Sequence, residues 1–230
     1  DITDPQKVIY LGKLLSATDP SDWRDVKIYN DHAFIVSEAS NHGLQVFDLN
    51  NLLASDEFKT FNEDYIANDF GNAHNIAINT SSGFAYVLGS ALYKGGPVFY
   101  DISIPQQPIF SGGFSDTSYI HDAQIVTYKG EDQNYFDKEI LFGSNSDGGE
   151  TNQLIILDVT EKTNPQMISS ISYSYGGYKH QGWIDENHRY FYLGDELDEL
   201  RYGNKTDRCY DWVLGLLILY ILSSKIVLLN

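Results

Sequence analysis

The stretch YDISIPQQPIFSGG, residues 100–113, decides the fold. An apolar run ends at Asp101, a proline-bearing turn follows, and a second apolar run opens at Pro108. This reads as strand, turn, strand. A carboxylate at Asp101 can accept a hydrogen bond from the backbone two residues on, and Pro105 cannot donate to a ladder, so the chain turns. The pattern recurs as DITDPQKVIYLG from Asp1, FDLNNLL around Asp48 and LDVTEKTNPQMISS around Asp158. Pro5 and Pro165 supply a nearby proline in two further copies, whereas the copy at Asp48 runs into a longer polar insertion up to Asn72. The marker aspartates at 1, 48, 101 and 158 are 47, 53 and 57 residues apart. That is the period of a four-stranded unit with variable loops.

Between markers each unit carries the same series of short strands. WRDVKIY, HAFIVSE and LQVFDL open at Trp23, His32 and Leu44. HNIAIN, FAYVLGS, PVFYDI and PIFSGGF open at His74, Phe84, Pro97 and Pro108, with Gly83 and the Gly95-Gly96 pair supplying turns. HDAQIVTY, EILFGSN and QLIILDV open at His121, Glu139 and Gln153. HQGWI and RYFYLGDE, at His180 and Arg189, begin a last unit that then stops matching. No segment has a long helical period. A four-stranded sheet with two apolar faces must be covered on both sides, which favours radial stacking over a β-sandwich. The expectation is an all-β fragment of a β-propeller: about three full blades plus partial blades at each end. Its units lie near residues 1–20, 21–72, 73–118, 119–178 and 179–208, with an atypical apolar tail over 209–230.

The tail carries the run WVLGLLILYIL from Trp212, eleven residues, followed by SSK and IVLL. That falls short of the roughly 18 to 20 apolar residues of a spanning helix, and no membrane span is expected within 1–208. A reading-frame slip or chimeric end, a genuine apolar strand pair, and a membrane anchor are the three readings. The first predicts a tail that packs poorly or projects.

The chain has 230 residues, 32 acidic against 15 basic, for a net charge of −17. Nucleic acid and anionic membranes call for clustered Lys and Arg, so neither is an expected partner. With 17 Tyr and 12 Phe the chain suits pleated, half-buried surfaces and not disorder. Cys209 is the single cysteine, so no disulfide framework and no CxxC metal pair exists. GxSxG, Walker, HExxH and Rossmann patterns are missing, leaving serine- and nucleotide-based chemistry without support.

Aligning the first strand of each unit gives Arg24-Asp25, His74-Asn75, His121-Asp122 and His180-Gln181. Each pair is a basic or imidazole group followed by a carboxylate or amide. If the first strand is innermost, the four pairs converge at one end of a channel. Such groups suit a divalent metal such as Zn, Cu or Fe, or a general base oriented by a carboxylate. The alternative is structural: a first-strand histidine bonding a neighbouring unit and holding the units in register. His32, His42 and His188 lie elsewhere and read as surface or turn residues. Asp195, Glu196, Asp198 and Glu199 could bind Ca through hard oxygens but lack EF-hand spacing, and SNSDGGET from Ser144 carries the same ambiguity. Asn79 and Asn204 open glycosylation sequons, meaningful in a eukaryotic secretory path.

The blocks at 21–49, 73–89, 119–130, 138–147 and 178–200, with HDAQ at His121 and HQGW at His180 the most specific, resemble the choice-of-anchor B family of LVIVD-repeat proteins, some of them labelled regulatory P domain-containing. The resemblance covers about residues 1–205 and departs after about Thr206, where relatives go on with another strand and marker Asp. It implies an exported propeller at the cell surface, held in some members by varied C-terminal anchors, and supplies no catalytic residues. The expected function is a binding or scaffold module, extracellular or at the cell surface, for a protein or glycan ligand. The rivals are a metal-dependent hydrolase or oxidase built on His74, His121 and His180, and a Ca-stabilised structural propeller.

Overall fold

The computed structural model describes residues 1–53, 58–146, 152–173 and 177–197, together with the backbone of two strands between 215 and 229. Strand β1 (Gly12–Leu14) comes first, then β2 (Arg24–Tyr29), β3 (His32–Ser37) and β4 (Leu44–Asp48). The insertion after Asp48 holds a four-residue helix, Asn50–Leu53, and the short strands β5 (Lys59–Phe61) and β6 (Tyr65–Ala67). There follow β7 (Asn75–Asn79), β8 (Phe84–Leu88), β9 (Val98–Asp101) and β10 (Ile109–Gly113). Next are β11 (Ile120–Thr127), β12 (Glu139–Asn145), β13 (Gln153–Asp158) and β14 (Gln166–Ile171). The last are β15 (Lys179–Ile184), β16 (Tyr190–Asp195), β17 (Gly215–Leu222) and β18 (Lys225–Leu229).

The chain is all-β. Its described strands form four antiparallel four-stranded sheets, ordered β2-β3-β4-β6, β7-β8-β9-β10, β11-β12-β13-β14 and β15-β16-β17-β18. The last two members come from the apolar tail: β17 pairs with β16 from Tyr190 opposite Tyr220 to Asp195 opposite Gly215, and β18 pairs with β17. The last unit therefore has four strands, not the partial blade expected from its sequence. The N–H and C=O groups along the edge of β16 need partners, and a Leu- and Ile-rich run supplies them without any marker motif.

The opening stretch also departs from expectation. Residues 1–11 form no strand, and Val8, Ile9 and Tyr10 stay exposed. Only β1 pairs, in parallel with β5. This small pair lies against the first sheet, where Phe61 meets Phe47 edge-on at 5.4 Å and Gln45 Nε2 donates to Leu15 O at 2.8 Å.

The marker turn repeats at atomic detail. The N–H groups of Thr3, Asn50, Ser103 and Thr160 donate to Oδ1 of Asp1, Asp48, Asp101 and Asp158 at 2.8, 2.9, 2.9 and 3.1 Å. The next link repeats as well: Leu49, Ile102 and Val159 donate their N–H to the carbonyls of Asp31, Gly83 and Glu139. In the copies at Asp48, Asp101 and Asp158 the short acidic side chain turns the chain at the end of the third strand, and the next backbone N–H ties that strand to the start of the second.

Alternation along each strand sends residues to two interiors. In β8, Ala85 and Val87 join Phe34, Val36, Leu44 and Val46 of the first sheet, whereas Tyr86 and Leu88 join Ile120, Leu141, Ile155 and Leu157 of the third. In β12 and β13, Ile140, Phe142, Leu154 and Ile156 turn the other way, toward Ile184, Phe191 and Leu193 of the fourth. Two-sided burial is why these strands read as unbroken apolar runs. Each fully buried Leu or Phe contributes about 1.5–3 kcal/mol, so these shared seams, and not any single polar link, hold the sheets together. The first strands β2, β7, β11 and β15 run in sequence order, each beside the next.

Candidate functional site

Strand register puts the aligned pairs at one level. Asp25 stands opposite Val36, Asn75 opposite Leu88, Asp122 opposite Ser144 and Gln181 opposite Gly194. These four partners hold the same place in the second strand of their sheets. In β11 and β15 a bulge intervenes, between Ile120 and Asp122 and between Lys179 and Gln181, and leaves His121 and His180 out of the ladder. A bulged residue is free to re-aim its side chain. His74 sits one residue before β7, its N–H bonded to Leu88 O at 3.0 Å.

The result is a ladder of imidazoles. The ring centroids of His74 and His121 lie 4.2 Å apart, those of His121 and His180 4.4 Å apart. Tyr178 stands edge-on to His121 at 5.3 Å, and Tyr119 flanks His74 at 6.3 Å. Gly89, at φ +68°, leaves the room: a Cβ there would fall 2.9 Å from both His74 Cβ and the Tyr119 ring. The recurring Tyr-x-His at 119–121 and 178–180 was a sequence signal for these flanking rings that the pairwise alignment missed.

The ladder bonds to the chain itself. His74 Nδ1 lies 2.6 Å from Glu38 Oε1, and His121 Nδ1 donates to His180 O at 2.8 Å across two sheets. His180 Nε2 is 3.9 Å from Glu196 Oε2, while its buried Nδ1 has no hydrogen-bond partner. The polar second members link neighbouring first strands too. Asp25 Oδ2 accepts from Lys27 Nζ at 2.5 Å and from Ile76 N–H at 3.4 Å, and Asn75 Nδ2 donates to Asp122 Oδ1 at 3.1 Å. Gln181 is exposed. Arg24 is exposed and turned away, its guanidinium donating to Ser21 O.

Burial sets the protonation of the central pair. Loss of water around His121 pushes its pKa down to about 4, against the pull of the His180 carbonyl and with the help of the flanking imidazoles. Burial pushes Asp122 up to about 6, opposed by its bond to the Ala123 N–H. Tyr119 is raised, first by burial and then by Tyr178 and Glu38. The stacked rings present faces to one another, and two of the Nδ1 atoms are engaged. Among the described residues no group of three or more His, Cys, Asp or Glu side chains is placed to hold a metal ion.

Other sequence candidates fall elsewhere. Asp195 is fully buried and accepts from Tyr173 OH, the Gly177 and Tyr178 N–H groups and Lys179 Nζ, so its oxygens are filled by the fold. Burial alone would raise its pKa, but these donors hold it below the usual carboxylate range. Glu196 lies beside His180. Asp198, Glu199 and Asn204 lie outside the described residues, as do 147–151 of the SNSDGGET loop. Asn79 is buried and donates to Glu139 Oε1 at 2.8 Å, which removes it as a glycosylation site. His32 and His42 are buried, not surface, residues: His32 opens β3 and His42 lies in the loop before β4, and their Nδ1 atoms bond to Asn30 O and Gly43 O. His188 accepts the Lys129 N–H in a turn. Sequence reasoning passed over the buried pairs Lys179–Asp195 at 3.0 Å and Lys162–Glu139 at 2.6 Å. Nothing local marks those lysines.

Two comparisons with known proteins, against family models and against curated sequences, find no match to this chain. Among the described residues no helix is long and apolar enough to cross a membrane.

Proposed function

We propose that the four sheets are blades of a β-propeller of the choice-of-anchor B kind, and that the chain acts as a binding or scaffold module at the cell exterior. Shared seams and first strands set side by side support the radial arrangement. The observation that carries the functional reading is the inward bonding of the histidine ladder. His121 donates to the neighbouring unit's backbone instead of offering that nitrogen to a ligand. An imidazole used this way sets register between units, at about 1 kcal/mol per bond.

The test is metal content and melting of the purified chain, beside His121→Ala and His180→Ala. The reading expects no stoichiometric Zn, Cu, Fe or Ca after dialysis, and a melting temperature lowered by several degrees in His121→Ala. Stoichiometric metal in the parent that is lost from both variants would replace this reading with a metal-dependent enzyme.

A further inference from the structure

A cleft of about 730 Å³ opens at the far ends of the same first strands, beyond the histidine ladder, with β2, β7, β11 and β15 all contributing to its wall. The size lies within the range of small-ligand sites. Its lining departs from the rest of the chain in charge. In a protein with 32 acidic and 15 basic residues, the cleft carries Lys27 and Lys129 and no Asp or Glu, and burial lowers the pKa of His188 on the same wall. Trp183 stands on the same wall, 65% exposed. Gln124 adds a side-chain amide, its Oε1 fixed by the Ile184 N–H at 2.6 Å.

We infer that this cleft binds an acidic saccharide, a short uronate-bearing chain. The indole of Trp183 offers a broad apolar face to the C–H face of a sugar ring. Lys27 and Lys129 offer charge-assisted donors to a carboxylate, and the Gln124 amide offers hydrogen bonds to hydroxyls. Lys27 and Lys129 are each held by one carboxylate, Asp25 and Asp137. Neither carboxylate lines the cleft, so the ammonium groups are positioned without the wall becoming acidic. The inference rests on the binding-module reading and names its ligand class.

The experiment is calorimetric titration of the full chain with trigalacturonate and, separately, with a neutral glucose trimer. Variants Trp183→Ala, Trp183→Phe and the double Lys27→Gln/Lys129→Gln follow, each checked for an unchanged circular dichroism spectrum and melt. Binding of trigalacturonate is expected, weakened about tenfold or more by Trp183→Ala and less by Trp183→Phe. The double lysine variant should bind more weakly and lose most of the salt dependence. The neutral trimer should bind at least about tenfold more weakly than the acidic one. No binding of trigalacturonate, equal binding of the two trimers, or unchanged affinity in Trp183→Ala would overturn the inference. Any of these leaves the metal and melting results of the preceding test intact, so the two readings fail separately.

Discussion

His121 and Asp122 are neighbours in one bulge, yet burial moves their titrations in opposite directions. His121, lowered from 6.5 to about 4, binds its proton more readily unfolded than folded. Its contribution to stability is complete above pH 6.5 and is lost as pH falls toward 4. Asp122, raised from 3.8 to about 6, does the reverse: its contribution is complete below pH 3.8 and is lost as pH rises through 6. Between pH 6 and 4 the two slopes oppose each other. Asp122→Asn keeps the acceptor for Asn75 and removes the buried charge. It should stabilise the chain at pH 7.5 by about 1–2 kcal/mol, discounted for partial solvent screening. It should also lose stability more steeply than the parent from pH 6.5 to 4. Urea denaturation at pH 7.5 and pH 5 measures both, and a variant less stable than the parent at pH 7.5 contradicts the account. At this scale the three histidines and Asp122 were legible, because repetition in the sequence exposes equivalent positions. The stacking was not legible, since it depends on bulges opposite Asn145 and Asp195 that no local pattern announces. Lys179 was missed for a related reason, because its burial is set by a carboxylate sixteen residues on, in the next strand.

At the scale of the element, the marker turn was the most readable feature. Asp and Pro act on backbone within a few residues of themselves, so local sequence specifies them fully. Asp101→Ala removes the bond to the Ser103 N–H, and a loss of about 1 kcal/mol is expected. Asp158→Ala should lose more, about 2 kcal/mol, because its carboxylate also meets Lys138 Nζ at 2.8 Å. Thermal melts of the two variants decide this, and equal losses would mean that the Lys138 pair adds nothing. The strands of the second and third sheets were likewise legible, from apolar runs bounded by Gly and Pro. The elements that sequence reading lost were β1, β5 and β6, and β17 and β18 entered it only as one of three readings of the apolar tail. Three residues are too few to show a period of two, and the pairing of Gly12 with Lys59 spans a long intervening chain.

Across the whole molecule, the second and third sheets are covered on both faces and the first strands of all four lie in series. Amide exchange should follow that coverage. The slowest amides should lie in β8 and β12, which sit inside their sheets and between two seams, and β2, exposed at alternate residues, should exchange faster. Hydrogen exchange read by mass spectrometry tests this, and equal rates in β12 and β2 would contradict it. Stacking of units was foreseeable from two-sided apolar strands, whereas the cleft was not. Its lining gathers residues from four separate units, and although Gln124 and Trp183 close the HDAQ and HQGW blocks, nothing local says that they meet.

Because each interior is built by two neighbours, no unit owns one outright. Copying a single unit of such a chain would therefore add one sheet and one new boundary, both made of residue patterns already proven next door. Growth by tandem duplication needs no fresh interior to be invented, and loops of unequal length, as the 47-, 53- and 57-residue spacings already illustrate, leave those boundaries untouched.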